Sequence, residues 1–114
     1  MKTLFYPKDE ISFVDHPKYA NVKIAKLVTN QDTETISVSQ LEIEPGTEIP
    51  IHTHDPQVDS IFVLAGTGEA FINGQWQGIT AGDYIFVPAL EPHGVRNSGS
   101  EILRLFIVHC PPLF

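Results

Sequence analysis

Apolar and polar positions alternate along most of this chain, and no stretch keeps the three-to-four-residue repeat of an amphipathic helix. The short apolar run at residues 11–14 predicts a strand, with nothing before it to pair with. Residues 22–28 alternate apolar with polar or small for most of their length, as a half-buried strand does. Residues 35–44 are β-prone throughout. Ser37, Ser39, Leu41 and Ile43 share one face, which is small and polar at one end and apolar at the other. That face fits a strand lining a cavity at one end and core at the other. The opposite face carries Ile36 and Val38, which need cover of a kind that a dimer contact would supply.

After the Pro45-Gly46 turn, residues 48–54 predict a strand with Pro50, His52 and His54 on one face. Asp55-Pro56 breaks it. Residues 58–64 follow, with Asp59, Ile61 and Val63 on one face. Asn73-Gly74 is a strong two-residue hairpin signal between residues 69–72 and 75–77. Residues 84–87 precede a strand with His93, Val95 and Asn97 on one face, and residues 102–109 form the last strand before Pro111-Pro112. Short strands separated by Gly and Pro turns predict an all-β sandwich or barrel with little or no helix. Residues 1–20 read as an N-terminal arm whose strand could be exchanged with a second subunit. Residues 21–114 read as one barrel domain.

Composition narrows the function. With 42% hydrophobic and 18% charged residues the chain is not disordered. Fourteen acidic residues against seven basic ones give a net charge of −7, which argues against nucleic acid as a partner. No apolar run approaches membrane-spanning length. Cys110 is the only cysteine, so no intrachain disulfide forms, and a reducing cytoplasm is the expected compartment. His109 and Cys110 are adjacent on a strand and so face opposite ways, which argues against a ligand pair. His16, between Asp15 and Pro17, reads as a solvated loop histidine.

The candidate chemistry lies at His52, His54, Asp59 and His93. Two histidines at i and i+2 on a strand point the same way, and imidazole with a nearby carboxylate is a common transition-metal ligand set. The alternative is a hydrogen-bonded polar cluster without metal, in which every buried polar group must find a partner. Gln57 is a further candidate donor. Ser37, Ser39, Ile61, Phe86 and Phe106 are candidates to line the cavity. Nothing in these segments supports a hydrolytic nucleophile.

These residues stand in two spaced blocks. Gly46, five residues, His52-Thr53-His54, four residues, Asp59, six residues and Gly66 form the first. Gly82, five residues, Pro88, Leu90, two residues, His93, three residues and Asn97 form the second. Together they resemble the two motifs of the cupin family, departing from them only at Asp59, where the family has Glu, and at Leu90, where it has Gly. The resemblance spans residues 46–97. It implies a double-stranded β-helix, or jelly-roll barrel, with glycines 46, 66 and 82 serving turns. His52, His54 and His93, with Asp59 in the glutamate's place, would hold one divalent transition metal per chain (Fe, Mn, Ni, Cu or Zn). A homodimer, often with exchanged N-terminal strands, is also implied.

Asp is one methylene shorter than Glu. The backbone must move, the metal must move, or Asp59 must bind through water and leave a three-histidine site. Replacement of Gly by Leu90 is expected to reshape its turn. The implied activity is a metal-dependent dioxygenase acting on a small molecule. Alternatives are a cupin that binds or senses a small ligand without turnover, and an isomerase or lyase with the metal as Lewis acid.

Overall fold

The computed structural model describes residues 1–114, and apart from one 3-10 turn at Lys8–Glu10 every regular element is a strand. In chain order these are β1 (Val14–Asp15), β2 (Val22–Val28), β3 (Ser37–Ile43), β4 (Glu48–His52) and β5 (Val58–Ala65). They are followed by β6 (Thr67–Ile72), β7 (Gln75–Thr80), β8 (Tyr84–Val87), β9 (His93–Arg96) and β10 (Leu103–Cys110). A six-stranded sheet in the order β1-β2-β3-β10-β5-β8 faces a four-stranded sheet in the order β4-β9-β6-β7, and every pairing is antiparallel. This is the all-β double-stranded β-helix, in which two sheets enclose one core.

The period-two pattern places the core. Leu41 and Ile43 of β3, Ile61 and Val63 of β5, and Leu103, Leu105 and Ile107 of β10 are buried between the sheets, while Phe62 and Leu64 face out. Asn73-Gly74 closes the β6–β7 hairpin with both residues at positive φ, as its composition predicts. Glycines 46, 66 and 82 also stand at positive φ. Gly66 has no alternative, because a Cβ there would lie 2.5 Å from the Ile102 carbonyl oxygen.

Asn97 ties one end of the barrel. Its side-chain amide donates to the carbonyls of Ile43 and Glu101, and its side-chain oxygen accepts from the Gly99 N–H.

The first strand lies at Val14–Asp15 rather than 11–14; within the chain it pairs with β2, Val14 opposite Ile24. Several other expectations are corrected. Val38 is buried within the single chain and needs no second subunit to cover it. The arm of the same chain reaches this sheet: Tyr6 donates to the Leu27 carbonyl, and Phe13 lies 5.7 Å from the Arg104 guanidinium. Phe86 is 55% exposed, and Phe106 sits on the outer face of β10, so neither lines the interior. Ser37 is buried on an inward row, but its hydroxyl accepts from the Leu113 N–H and it is not part of the cavity lining.

At its turn Leu90 adopts the left-handed conformation, φ 68, which glycine takes more readily, and its N–H donates to the His54 carbonyl at 2.8 Å.

The alternation expected for 48–54 fails at one point that matters. Ile49 opposes Val95 and His52 opposes His93, so Pro50 and Ile51 of β4 face the single residue Gly94 of β9. This β-bulge reverses the parity of the strand. Ile49 points into the core, Pro50 and Ile51 are exposed, and His52 points inward again. Gly94 makes room for the bulge: a Cβ there would lie 3.0 Å from the Ile49 carbonyl oxygen and 3.1 Å from the Ile51 nitrogen.

Candidate metal centre

Two cross-strand pairs, one from each sheet, meet inside the barrel. His52 of β4 stands opposite His93 of β9, and Asp59 of β5 stands opposite His109 of β10. His54, just beyond β4, joins them. The ring centres of His52 and His93 are 4.3 Å apart, those of His52 and His54 4.8 Å, and those of His54 and His109 5.3 Å. Asp59 is the hub of the charged contacts. Its Oδ2 lies 3.2 Å from His93 Nε2, 3.3 Å from His109 Nε2 and 3.7 Å from His54 Nε2.

The donor atoms form two overlapping triads, His52–His54–His93 and His54–Asp59–His109, each with its ligand atoms within 4.8 Å of one another. The structure therefore gathers all four sequence-predicted residues. It separates Gln57, whose amide donates to the Pro112 carbonyl outside the cluster. It also adds His109, which sequence reasoning set aside. The signal was there: 103, 105, 107 and 109 fall on one face of β10, and the first three are core aliphatics. The adjacent Cys110 faces the other way and is exposed.

The backbone fixes two of the rings. His52 Nδ1 lies 2.7 Å from the Pro50 carbonyl, and His93 Nδ1 lies 2.9 Å from the Glu91 carbonyl. A carbonyl can only accept, so both Nδ1 atoms carry hydrogen and both Nε2 lone pairs point into the cluster. That is the arrangement of a metal-ligating histidine with its outer hydrogen bond in place.

A neutral His93 would then set a lone pair against the Asp59 carboxylate at 3.2 Å, two acceptors facing each other. A positive charge is needed there, as a second proton or as a metal ion. Asp59 Oδ1 and His109 Nδ1 are buried without a hydrogen-bond partner, and His93 Nε2 has one only when it is protonated and donates to Asp59. Leaving such atoms unsatisfied costs about 1–3 kcal/mol each. Imidazole nitrogens with one carboxylate suit the divalent first-row transition metals, so these residues fit the implied group.

The titration pattern of the metal-free site reflects the same geometry. Burial alone would raise Asp59, but hydrogen bonds from His109 and His93, together with the neighbouring imidazolium charge, hold its carboxyl well below the usual carboxylate range. Burial pulls His93 down, but its bonds to Asp59 and to the Glu91 carbonyl outweigh this and raise it. Burial lowers His52 and brings His54 down to about 4.

The cluster opens on a cavity of about 440 Å³, in the range of small-molecule sites. Ile24, Leu41, Ile61, Leu105 and Ile107 make its walls apolar. Two segments unsuspected from sequence help to close it: the 16–19 turn, and the C-terminal residues Leu113 and Phe114. His16 is half-buried in this lining rather than freely solvated, with Nδ1 accepting from the Lys18 and Tyr19 N–H groups.

A two-sheet barrel with a histidine-rich cluster facing an apolar cavity defines a double-stranded β-helix protein with a candidate metal centre. A sequence profile of the cupin domain matches residues 39–109, and the chain belongs to the cupin family. Among curated relatives, the oxalate-binding protein of Thermotoga maritima is 29% identical over 70 residues, covering 61% of this chain and 58% of that protein. The 5-nitrosalicylic acid 1,2-dioxygenase of a Bradyrhizobium species is 30% identical over 67 residues, covering 59% of this chain and 32% of that enzyme. The match thus spans less than two thirds of the first relative and about a third of the second. Among solved structures, a predicted oxalate decarboxylase of Thermotoga maritima superposes with a TM-score of 0.82 at 22% identity, covering 96% of this chain and 99% of the other. An RmlC-like cupin of Shewanella frigidimarina gives 0.82 at 20% identity, covering 98% and 94%. Both likenesses concern the fold. No helix is long and apolar enough to cross a membrane.

Proposed function

We propose that this chain is a mononuclear transition-metal cupin that converts a small organic substrate with dioxygen. The observation that carries the reading is the pair of backbone-anchored rings, His52 and His93, whose Nε2 lone pairs converge beside buried Asp59 at the cavity. His52, His54 and His93 would hold the metal, and Asp59 would ligate it or accept from its bound water. His109 would hold Asp59 in place or take a coordination position itself.

Bound there, a divalent iron or manganese would supply an open position for dioxygen and substrate. The chain's own contribution is to orient the ligands, to exclude water with the apolar wall, and to keep a carboxylate ionised next to the reacting group. The 5-nitrosalicylic acid dioxygenase among the relatives supports oxygenase chemistry. An isomerase or lyase acting through an enolate would use the same residues, with the metal as Lewis acid.

Binding without turnover is the second reading. It is favoured by relatives described as oxalate-binding and auxin-binding proteins. We also propose a homodimer in the cytoplasm. Phe62, Tyr84 and Phe86 make an exposed aromatic patch on neighbouring strands that a second subunit could cover, and the exposed Cys110 thiol suits a reducing compartment.

Oxygen uptake by the Fe(II)-loaded protein over a panel of phenolic acids, thiols and diketones tests the catalytic reading. Consumption that depends on one substrate class is expected. Tight binding with no uptake across the panel would favour the second reading.

A further inference from the structure

We infer that the cavity takes a small organic carboxylate and that Lys26 and Lys18 hold its anionic end at the mouth, an assignment that rests on the metal-cupin reading above. The chain has twice as many acidic as basic residues, yet this cavity inverts the balance. Its lining contains the side chains of Lys18 and Lys26 and a single side-chain carboxylate, Asp59, which is already enclosed by three histidines. Neither lysine forms an ion pair. Each ammonium stands instead near an aromatic ring, Lys26 Nζ 4.7 Å from the centre of Phe114 and Lys18 Nζ 5.4 Å from that of Tyr19.

Lys26 is exposed at the open end of β2, but it lies on the inward-facing side of that strand and lines the cavity. Val22, Ile24 and Lys26 share one face of β2, the first two are core, and Lys26 stands opposite Ser39, which is 2% exposed and lines the same cavity. Strand periodicity therefore puts an ammonium where an aliphatic side chain would close the barrel. Lys26 belongs to the cross-sheet row Ser39–Ile107–Ile61, and the neighbouring inward row is Ser37–His109–Asp59. It lies two strands from β10, about 10 Å across the sheet at the usual strand spacing. A ligand reaching from the metal cluster to this ammonium runs over Ile61 and Ile107 and past Ser39, with Leu41 and Leu105 one row deeper in the same apolar wall. Its body is therefore an aromatic ring or a short aliphatic chain.

His16 adds a donor. Its Nδ1 accepts from two backbone N–H groups, so the ring hydrogen of the neutral form is on Nε2. Burial first, and then the charges of Lys26 and Lys18, favour that neutral form. Two cations focused over a low-dielectric cleft also raise the local concentration of anions.

The test compares benzoate and phenylacetate with benzamide and phenylacetamide by isothermal titration at low salt, on metal-free and on Mn(II)-loaded protein. Each acid and amide pair differs little in shape but by one charge. The acids are expected to bind about tenfold more tightly than the amides, the scale of one charge-assisted hydrogen bond. The Lys18→Met/Lys26→Met double variant should lose that preference, and Lys26→Arg should keep it.

Acids bound no more tightly than amides, including no binding by either, would overturn the inference. So would a preference that survives in the double variant with its Mn(II) content intact, since the metal would then hold the carboxylate. A protein that retains no Mn(II) but shows the lysine-dependent preference would contradict the metal reading and leave the rim assignment standing.

Discussion

His109 stands directly opposite Asp59 across the β5–β10 ladder, with its Nε2 3.3 Å from the Asp59 Oδ2. Pairing across a ladder is fixed by register, so this contact is built into the sheet rather than left to side-chain freedom. It bears on the short arm of Asp59. A fourth imidazole stands against the shorter carboxylate.

His109→Ala is therefore expected to lower metal affinity about 10–100-fold, the usual cost of losing a ligand's supporting partner. Competition against a chelator of known affinity measures this. His16→Ala serves as the control and should leave metal affinity unchanged. An unaltered affinity in His109→Ala would remove His109 from the centre.

The bulge that turns His52 inward depends on Gly94. A Cβ at that position meets the backbone of Ile49 and Ile51 at 3.0–3.2 Å, so Gly94→Ala has to push β4 away from β9. A loss of about 1–3 kcal/mol in urea unfolding is expected, as for other overpacked sites, together with weakened metal retention. Wild-type stability with normal metal content would show that the bulge is not held by this contact.

Leu90 carries backbone strain at φ 68, while its side chain is 62% exposed. Leu90→Gly relieves the left-handed penalty and loses little packing, so a gain of about 1 kcal/mol is expected. Thermal unfolding reads it as a raised Tm. The Leu90 N–H bond to His54 should survive, so metal affinity should stay as it was. A lowered Tm would contradict the strain.

Acid should destabilise the metal-free protein. His54 titrates near 4 in the fold against 6.5 unfolded, and His52 is also lowered, so between those values the unfolded chain binds more protons. The stability these two provide is complete above about 6.5 and is lost as pH falls toward 4. His93, raised in the fold, works the other way and loses its contribution as pH rises past 6.5. Melting of the metal-free protein from pH 7.5 down to 4 should show a falling Tm, with a shallower slope in His54→Gln. A Tm that rises on acidification would contradict this.

Much of this was legible in the residues. Asp59, Ile61 and Val63, and likewise His93, Val95 and Asn97, fall on the faces that alternation assigns them, because β5 and β9 run without interruption there. The spacing of the histidines and glycines carried the fold. What stayed hidden is non-local. A bulge leaves no trace in the alternation until its partner strand is known, so Pro50 was placed beside His52. His109 is 50 positions from Asp59, and only sheet order joins them. Phe86 and Phe106 looked like lining because large apolar side chains are usually inside, yet on this sheet they face out. The Lys26 ammonium at the mouth is invisible until the row Lys26–Ser39–Ile107 is assembled.

The central claim is that His52, His54 and His93, with Asp59 and His109 beside them, hold one metal ion. The most direct measurement is elemental analysis of the purified protein after reconstitution with Fe(II) or Mn(II) and removal of free ions, alongside His52→Ala and His93→Ala. The account predicts one transition metal per wild-type chain and a large loss in both variants. No stoichiometric metal in the wild type, or equal metal in the variants, would contradict it.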